Sequence, residues 1–246
     1  MKSPTHLVRD WYRQAALKKR QRQGRVDPQV KLLRQYDIDL VLDVGANTGQ
    51  YAKWLFKKGY QGRLISFEPQ PDAFSTLEQN ASSYQQWNVS NLALGSEETL
   101  ATLNVAGNSQ SSSLHAMLDR HVESAPDSAY TGKVDVQVRR VDDVLDEMGI
   151  DEQRIFMKLD VQGHEHETLR GATGCLDRLL GIEIELSLVG LYEGQRLWRE
   201  TIDSMKELGF ELASLRPCFN DPQTSVLLQA DGVFVRPGAA EIRRAA

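Results

Sequence analysis

The sequence has 246 residues, of which 41% are hydrophobic and 26% are charged, so it is long enough for one large α/β domain with a short extension. A net charge of −5 gives no reason to expect a nucleic acid partner, and two cysteines exclude a framework of disulfides. Because we find neither the ~18 consecutive apolar residues of a membrane span nor the apolar core of a secretory signal, we expect a cytoplasmic location.

The first predicted element is a basic, amphipathic helix within residues 1–26. Its apolar residues Leu7, Trp11 and Ala15 recur at helical spacing, and its many lysines and arginines face a lone acid. One interpretation is a helix that docks on the main domain or on the second subunit of a homodimer. The other is a helix that contacts a membrane surface or an acidic partner. The remaining residues, 27–246, are predicted to form the main domain.

From there the sequence alternates predicted strands with predicted helices. The strands are predicted over 39–44, 63–67, 88–94, 155–160, 180–186, 210–215 and 232–235. The helices are predicted over 50–58, 71–80 and 197–208. Such alternation favours a doubly wound, mostly parallel α/β sheet with helices on both faces, whose ligands bind beyond the carboxyl ends of the strands.

The span from about 101 to 132 breaks this alternation. Residues 102–105 are compatible with an added strand, but glycine, serine and asparagine dominate the stretch that follows. We expect a long irregular insertion of the kind that often forms a lid, with Ser112, Ser113 and His115 as candidates to cover a site. A surface excursion without a role is the alternative.

A glycine-rich turn follows the first strand, over residues 43–49. Gly45 lets the backbone turn sharply and approach a ligand, and Gly49 lets the next helix begin close to the sheet. Asp43 stands where it can accept hydrogen bonds from an ammonium group or order the loop. A dinucleotide fingerprint needs glycine where Asn47 stands, so an amino-acid carboxylate at the helix N-terminus is favoured over a pyrophosphate. An ordinary strand-to-helix turn is the alternative.

The second strand ends on a carboxylate, Glu68, followed by Pro69. A carboxylate there can accept both ribose hydroxyls of an adenosine, as the acid of a Rossmann site does, while Pro69 ends the strand and fixes the turn. A solvated glutamate at a strand end is common by itself. Together with the glycine-rich turn, it predicts a cofactor that contains adenosine.

Several motifs occur in the order typical of one family. They are the segments 43–49, 67–69, 93–95, 158–165, 169–172, 183–185 and 231–236. In this order they resemble the FkbM family of class I methyltransferases over roughly residues 38 to 236. The segment Lys-x-Asp-Val-x-Gly-x-Glu, which spans 158–165, is the most specific part of the resemblance.

The resemblance implies a Rossmann-like sheet of seven strands with the last one antiparallel, S-adenosylmethionine as the cofactor, and methylation of a hydroxyl. Family members often act on sugars of glycans, glycolipids or natural products. The resemblance implies a methionine subsite, a ribose subsite and an adenine subsite, formed respectively by Gly45, Asn47 and Gly49, by Glu68, and by Ala93 and Leu94. We count Ala46, Asp43 and Pro69 with the same cofactor site.

Methyl transfer to an alcohol is an in-line displacement in which the hydroxyl must lose its proton, so a base or a metal has to help. Asp160 ends the fourth predicted strand and is our first candidate for the base or for a group that orients the substrate. Lys158 shares its strand face and can keep Asp160 ionised. A lysine and an aspartate inside an apolar strand are costly unless paired, which favours a functional role for both.

Further catalytic candidates are His164 as a proton relay, the family glutamate Glu165, and Glu185. For His164 a solvated or helix-capping role is an equal alternative. We predict no metal site. The alternative is a divalent cation bound by Asp160 together with Glu183 and Glu185, which share a strand face. Tyr192 and Trp198 can stack on a sugar ring, but a core or surface role is favoured for each.

The sequence therefore predicts an S-adenosylmethionine-dependent O-methyltransferase with a sugar-like acceptor. The alternatives are a NAD-type oxidoreductase of the same topology and a non-catalytic module that binds the cofactor. The missing dinucleotide fingerprint disfavours the first, and the presence of Asp160, Glu165 and Glu185 disfavours the second. The sequence leaves open the acceptor and the oligomeric state.

Overall fold

The computed structural model describes residues 27–239 of the chain. The basic amphipathic helix predicted within residues 1–26 lies outside the described residues, as do the contacts considered for it. Within 27–239, none of the helices is both long enough and apolar enough to cross a membrane.

The helices and strands follow the predicted alternation with additions. The helices are α1 (Pro28–Gln35), α2 (Gln50–Lys57), α3 (Pro71–Ala81), α4 (Asp119–Ser124), α5 (Val141–Glu147), α6 (Glu165–Arg170) and α7 (Trp198–Glu207). The strands are β1 (Leu40–Val44), β2 (Arg63–Phe67), β3 (Trp87–Ser90), β4 (Ala93–Gly95), β5 (Thr99–Ala106), β6 (Tyr130–Arg140), β7 (Ile155–Leu159), β8 (Leu179–Ser187), β9 (Glu211–Asn220) and β10 (Leu227–Val235). Of these, α1, α4, α5 and β6 were not predicted, and β9 and β10 are longer than predicted.

The main sheet has seven strands in the order β3-β2-β1-β7-β8-β10-β9. Strands β1, β2, β3, β7 and β8 run parallel, whereas β10 is antiparallel to both of its neighbours. This confirms the predicted class I sheet with its last strand antiparallel. Because the parallel strands all end at one edge, the loops after β1, β2, β7 and β8 meet there.

Hydrophobic cores cover both faces of this sheet. Leu40, Leu42 and Val44 of β1 pack in one core with residues of α5, α6 and α7, while Val41 packs in the other with residues of α1, α2 and α3. Burial of each such side chain is worth roughly 1.5–3 kcal/mol, so the two layers of helices hold the strands firmly. The alternation also assigns Asp43 to the same face as Val41, beneath α1 and α2.

The span predicted as a long irregular insertion forms much of a second, three-stranded sheet in the order β4-β6-β5. Strands β5 and β6 pair antiparallel, and β4 joins β6 in parallel. Buried Val136 and Val138 alternate with exposed residues along β6, and they pack on Leu103 in a small core of their own. The expectation of an irregular span is therefore wrong at its two ends, 101–106 and 130–132, where this local core stabilises regular pairing, whereas residues 107–118 lie outside helices and strands, as predicted.

The single strand predicted over 88–94 is two strands in different sheets. Residues Trp87–Ser90 pair with β2 in the main sheet, while Ala93–Gly95 pair with β6 in the small sheet. Between them, the Asn91 side-chain amide donates to the Glu68 carbonyl at 2.8 Å. This bond fixes the point where the chain leaves one sheet for the other.

Candidate active site

A cavity of about 470 Å³ opens where β1, β2, β7 and β8 end. The predicted residues on its wall are Gly45, Ala46, Asn47, Glu68, Pro69, Ala93, Leu94, Lys158, Asp160, His164 and Glu185. Three predicted site residues do not line it: Asp43, Gly49 and Glu165. Residues that the sequence analysis did not predict also line it, among them Tyr51, His121, Gln162, Phe219 and Gln229.

The turn after β1 comes very close to the chain after β7. The Asp160 backbone N–H donates to the Val44 carbonyl at 3.0 Å. Gly45 has a φ of +79°, and a Cβ at this position would lie 1.9 Å from the Asp160 carbonyl oxygen. The neighbouring backbone at Asp160 therefore requires a residue without a side chain at position 45. This reason differs from the predicted one, which was close approach to a ligand.

The other glycine of the turn, Gly49, precedes α2 with a φ of +83°. A Cβ at Gly49 would lie 2.5 Å from the Trp87 ring and 2.8 Å from Leu77. This confirms that Gly49 lets the helix begin close to its neighbours, but it keeps Gly49 off the cavity wall. Gln50 and Tyr51, in the first turn of α2, line the cavity in its place.

Glu68 holds the loops around it. Its two carboxylate oxygens accept the backbone N–H groups of Asn47 and Gln70, each at 2.8 Å. Burial raises the pKa of Glu68 to about 7, although these hydrogen bonds favour the ionised form. Because a carboxylate oxygen can accept more than one hydrogen bond, both oxygens keep capacity toward the cavity.

A row of polar side chains crosses the sheet beneath α1 and α2. The strand register places Ser66, Asp43, Lys158 and Glu183 side by side on β2, β1, β7 and β8. Ser66 Oγ donates to Asp43 Oδ2 at 3.1 Å, and Lys158 Nζ lies 3.7 Å from Asp43 Oδ1. Glu183, at the end of the row, pairs with Arg216. Asp43 thus orders the core under the loop, and burial raises its pKa even though Lys158 and Ser66 oppose the shift.

Lys158 connects this buried row to the cavity. Its Nζ lies 3.0 Å from Asp160 Oδ2, which confirms the predicted pair. Burial by itself would lower the pKa of Lys158, but the charges of Asp160 and Asp43 raise it above its usual range. Lys158 is consequently charged at neutral pH. The Asp160 side chain is 41% exposed, so a carboxylate held by a buried cation faces the cavity.

Gln162 joins Asp160 to a second carboxylate. Its side-chain amide donates to Asp160 Oδ1 at 2.8 Å and to Glu185 Oε2 at 3.3 Å, and it accepts from the Tyr192 hydroxyl at 2.7 Å. Gln229 donates to the same Glu185 oxygen. Burial, with the charge of Asp160 next, raises the pKa of Glu185 well above its usual range. Gln162 lies within the family motif, but no pattern in the sequence predicts these contacts.

Two other predicted catalytic residues have different surroundings. His164 lines the cavity, and its Nδ1 lies 3.0 Å from Nε2 of His115. Glu165 lies off the cavity, where its Oε1 accepts the Gly163 backbone N–H at 3.1 Å. Burial raises the pKa of Glu165 to about 7. The geometry therefore gives Glu165 the position of a residue that holds the loop between β7 and α6.

The segment 108–114 of the former insertion lines the cavity, with Ser112 and Ser113 on the wall as predicted, whereas His115 does not line it. The Ser113 hydroxyl donates to the Gln162 carbonyl at 2.6 Å. At the other end, Asn47 Nδ2 donates to Ser109 Oγ at 3.2 Å. Contacts at both ends tie this segment to the turn after β1 and to the chain after β7.

Tyr192 and Trp198 do not line the cavity. Tyr192 is buried, and Trp198 lies at the surface with the Arg199 guanidinium over its ring. The core and surface roles favoured for them are confirmed. Aromatic side chains that do line the cavity include Tyr51, Phe67 and Phe219. Phe219 belongs to β9, a strand whose sequence does not distinguish it from core residues.

The cation site weighed from the sequence does not form as described. Glu183 pairs with Arg216 and Gln29, away from Asp160. Within residues 27–239, the side chains of metal-ligand type that come within mutual reach are Glu185, Cys218 and Asp231. Glu183 is therefore removed from the possible ligands.

A mostly parallel sheet of seven strands, with an antiparallel strand inserted before the edge and a cavity beyond β1, defines the class I methyltransferase architecture. The model of the methyltransferase FkbM domain matches residues 43–212, and the chain belongs to this family. The family excludes the oxidoreductase alternative, and the resemblance noted from the motifs is confirmed.

Curated relatives are methyltransferases. The chain is 26% identical over 194 residues to the 2-O-methyltransferase NoeI of Sinorhizobium fredii, which covers 76% of this chain and 78% of that protein. It is 26% identical over 206 residues to Methyltransferase 1 of Beauveria bassiana, with 78% and 80% covered. The solved structure of an FkbM methyltransferase from Methylobacillus flagellatus is 15% identical, with a TM-score of 0.46, and covers 80% of this chain and 44% of that one.

Proposed function

We propose that this methyltransferase transfers the methyl group of S-adenosylmethionine to a hydroxyl of a sugar-like acceptor. The observation that carries the proposal is the Asp160 carboxylate. It faces the cavity at the end of β7, held by Lys158 at 3.0 Å and by Gln162 at 2.8 Å, beside the turn after β1. A carboxylate fixed in this way suits a general base or a group that orients a hydroxyl.

The cavity suits the cofactor along its length. The first turn of α2, at Gln50 and Tyr51, offers backbone N–H groups to the carboxylate of the methionine part. Glu68 has acceptor capacity left for ribose hydroxyls, and Ala93 and Leu94 provide an apolar wall for the adenine. When bound, S-adenosylmethionine supplies a methyl group on its sulfonium, and the thioether that remains is a good leaving group.

The residues of the chain act on the acceptor hydroxyl. Asp160 would accept the proton of the acceptor hydroxyl, and bound S-adenosylmethionine would supply the methyl group that replaces this proton, with a neutral thioether as its leaving group. Lys158 places a positive charge 3.0 Å from Asp160, and Gln162 fixes the orientation of the carboxylate. Much of the remaining rate enhancement comes from holding oxygen, carbon and sulfur in line.

The acceptor class has two supports. NoeI, a relative that covers most of the chain, is named as a 2-O-methyltransferase. The end of the cavity beside Asp160 carries Gln162, Glu185 and Gln229, whose amide and carboxyl groups both donate and accept hydrogen bonds. Such a lining matches several neighbouring hydroxyls.

The test compares wild type with Asp160→Asn, using methyl-labelled S-adenosylmethionine, a panel of hydroxylated acceptors and mass spectrometry. Asn keeps the shape but cannot take the proton, so turnover should fall by ~10²–10⁴-fold. Calorimetry should show donor affinity within a few-fold of wild type. Asp146→Asn, at an exposed position of α5, is the matched control and should leave both unchanged.

Turnover by Asp160→Asn at near the wild-type rate would show that the carboxylate is structural. Failure of the folded wild type to bind S-adenosylmethionine would overturn the cofactor. Binding of the donor without transfer to any acceptor would instead favour the non-catalytic module considered from the sequence.

A further inference from the structure

His121 of α4 lines the cavity, and nothing in the catalytic arrangement uses it. The residue is only 4% exposed, and neither ring nitrogen has a hydrogen-bond partner among residues 27–239: Nδ1 is fully buried, whereas Nε2 keeps accessible surface. Its ring lies edge-on to Tyr192, with 5.1 Å between centroids, and 5.6 Å from the ring of Phe219. A polar atom thus interrupts an aromatic wall.

Buried polar atoms in native proteins nearly always have partners, so one without a partner on a cavity wall points to a ligand that supplies the bond. Burial lowers the pKa of His121 to about 4. The imidazole is therefore neutral at pH 7, with one nitrogen that donates and one that accepts. Either tautomer matches a hydroxyl group, which can both donate and accept.

Phe219 adds the second half of this wall. Its ring lines the cavity next to Cys218, at the end of β9 that lies nearest to Glu185. Aromatic faces bind the apolar C–H face of a sugar ring, while hydroxyls at the rim need polar partners. His121 and Phe219 together present both surfaces to one ring.

The charges around the cavity restrict the ligand further. Lys158 is the sole lysine or arginine on the wall within the described part of the chain, and Asp160 and Asp43 already surround it. The wall carries three carboxyl groups, those of Glu68, Asp160 and Glu185. A phosphate or carboxylate on the acceptor would find no free cation here.

We propose that His121 and Phe219 form the acceptor subsite and that the acceptor is an uncharged glycoside. The ring lies against Phe219, and one hydroxyl bonds Nε2 of His121, the nitrogen with accessible surface, while another reaches Asp160. The proposal rests on the proposed function and narrows it, because it excludes sugar phosphates and sugar acids.

The variants separate recognition from folding. His121→Phe keeps a ring of similar size and removes both nitrogens, so its melting temperature should equal or exceed that of the wild type. His121→Gln restores a polar atom near the position of Nε2. The matched control is His166→Phe, since His166 does not line the main cavity.

The acceptors are methyl α-D-glucopyranoside, methyl α-D-mannopyranoside and methyl β-D-galactopyranoside, with glucose 6-phosphate and glucuronate as anionic counterparts. We expect the wild type to methylate a neutral glycoside with a kcat/KM at least 100-fold above that for either anion. His121→Phe should raise the KM for that glycoside at least 10-fold, and His121→Gln should recover part of the loss. Affinity for S-adenosylmethionine, measured by calorimetry, should stay unchanged in all variants.

An unchanged KM in folded His121→Phe, a preference for an anion, or no methylation of any neutral glycoside would overturn the proposal. Donor binding by the wild type distinguishes this failure from a failure of the proposed function. If the donor binds and another acceptor is methylated, only the subsite is wrong, whereas absence of donor binding removes both.

Discussion

Removal of the Lys158 charge by Lys158→Met tests the polar row across the sheet. Lys158 Nζ lies 3.7 Å from a carboxylate oxygen of Asp43, a residue with no exposed surface. In the variant, Ser66 is the remaining group that donates to Asp43. An uncompensated buried carboxylate either stays charged, at a cost of about 3–5 kcal/mol, or takes up a proton.

The cost of taking up the proton sets the magnitude. An aspartate with an unfolded-state pKa of about 3.9 is held protonated at a cost of at most about 4 kcal/mol at pH 7 and about 1.5 kcal/mol at pH 5. Since burial already raises the pKa of Asp43 in the wild type, its contribution to stability is lost as pH rises, and the variant raises that pKa further. The gap between the two proteins should therefore widen with pH. Asp160 adds little, because its side chain is 41% exposed and solvent screens it.

Urea unfolding at pH 5 and pH 7 measures the gap. Adding Asp43→Asn to Lys158→Met removes the buried charge, keeps an acceptor for Ser66, and should recover most of the lost stability with little dependence on pH. A gap that is equal at the two pH values, or that stays under about 1 kcal/mol at pH 7, would refute this account of the polar row.

Two more predictions concern stability. Burial raises the pKa of Glu165 to about 7. Its contribution to stability is therefore complete below about pH 4.5, and on the order of 3 kcal/mol is lost as pH rises through 7. Glu165→Gln should flatten this part of a curve of melting temperature against pH. Glu167→Gln is the contrast of opposite sign, since the Ser96 hydroxyl lowers the pKa of Glu167 and its contribution is lost as pH falls; equal curves for both variants would contradict the assignment. Gly49→Ala places a Cβ 2.5 Å from Trp87 at a φ of +83° and should lose about 3 kcal/mol in urea unfolding. Gly149→Ala, at a φ of +63° with open space around it, should lose only about 1 kcal/mol, and similar losses at the two sites would show that contact with Trp87 does not matter.

The mostly parallel main sheet was predictable because strands that are buried on both faces are short, nearly continuous apolar runs in the sequence. In β1, every residue is buried and every residue except Asp43 is apolar, and Gly45 follows the strand directly. Strand ends carry chemistry in such sheets, so Glu68 and Asp160 were identified from position alone. Side-chain period explains why Lys158 and Asp160 were correctly expected to pair.

The small sheet was not predicted, although the alternation of Val134, Val136 and Val138 was present in the sequence. Those valines pack on Leu103, about 30 residues earlier in the chain, and no local pattern reports such a contact. The same reason hid Gln162 and His121. Most residues that contact Gln162 and His121 lie on segments that are distant in the sequence. Residue type and spacing therefore do not predict these contacts.

The polar row also explains why the lysine of the family motif stands two residues before the aspartate. With β7 between β1 and β8, one side chain on this face of the sheet can reach Asp43 on one side and Glu183 on the other. The next residue on the same face is Asp160, at the cavity. The charge of Lys158 thereby offsets the carboxylate of Asp43, under the turn after β1, and the carboxylate of Asp160, which is proposed as the base. Arginine would not serve as well, because its larger planar group needs more donor partners than this buried row provides. The proposed methyl transfer therefore depends on a lysine that acts through Asp160.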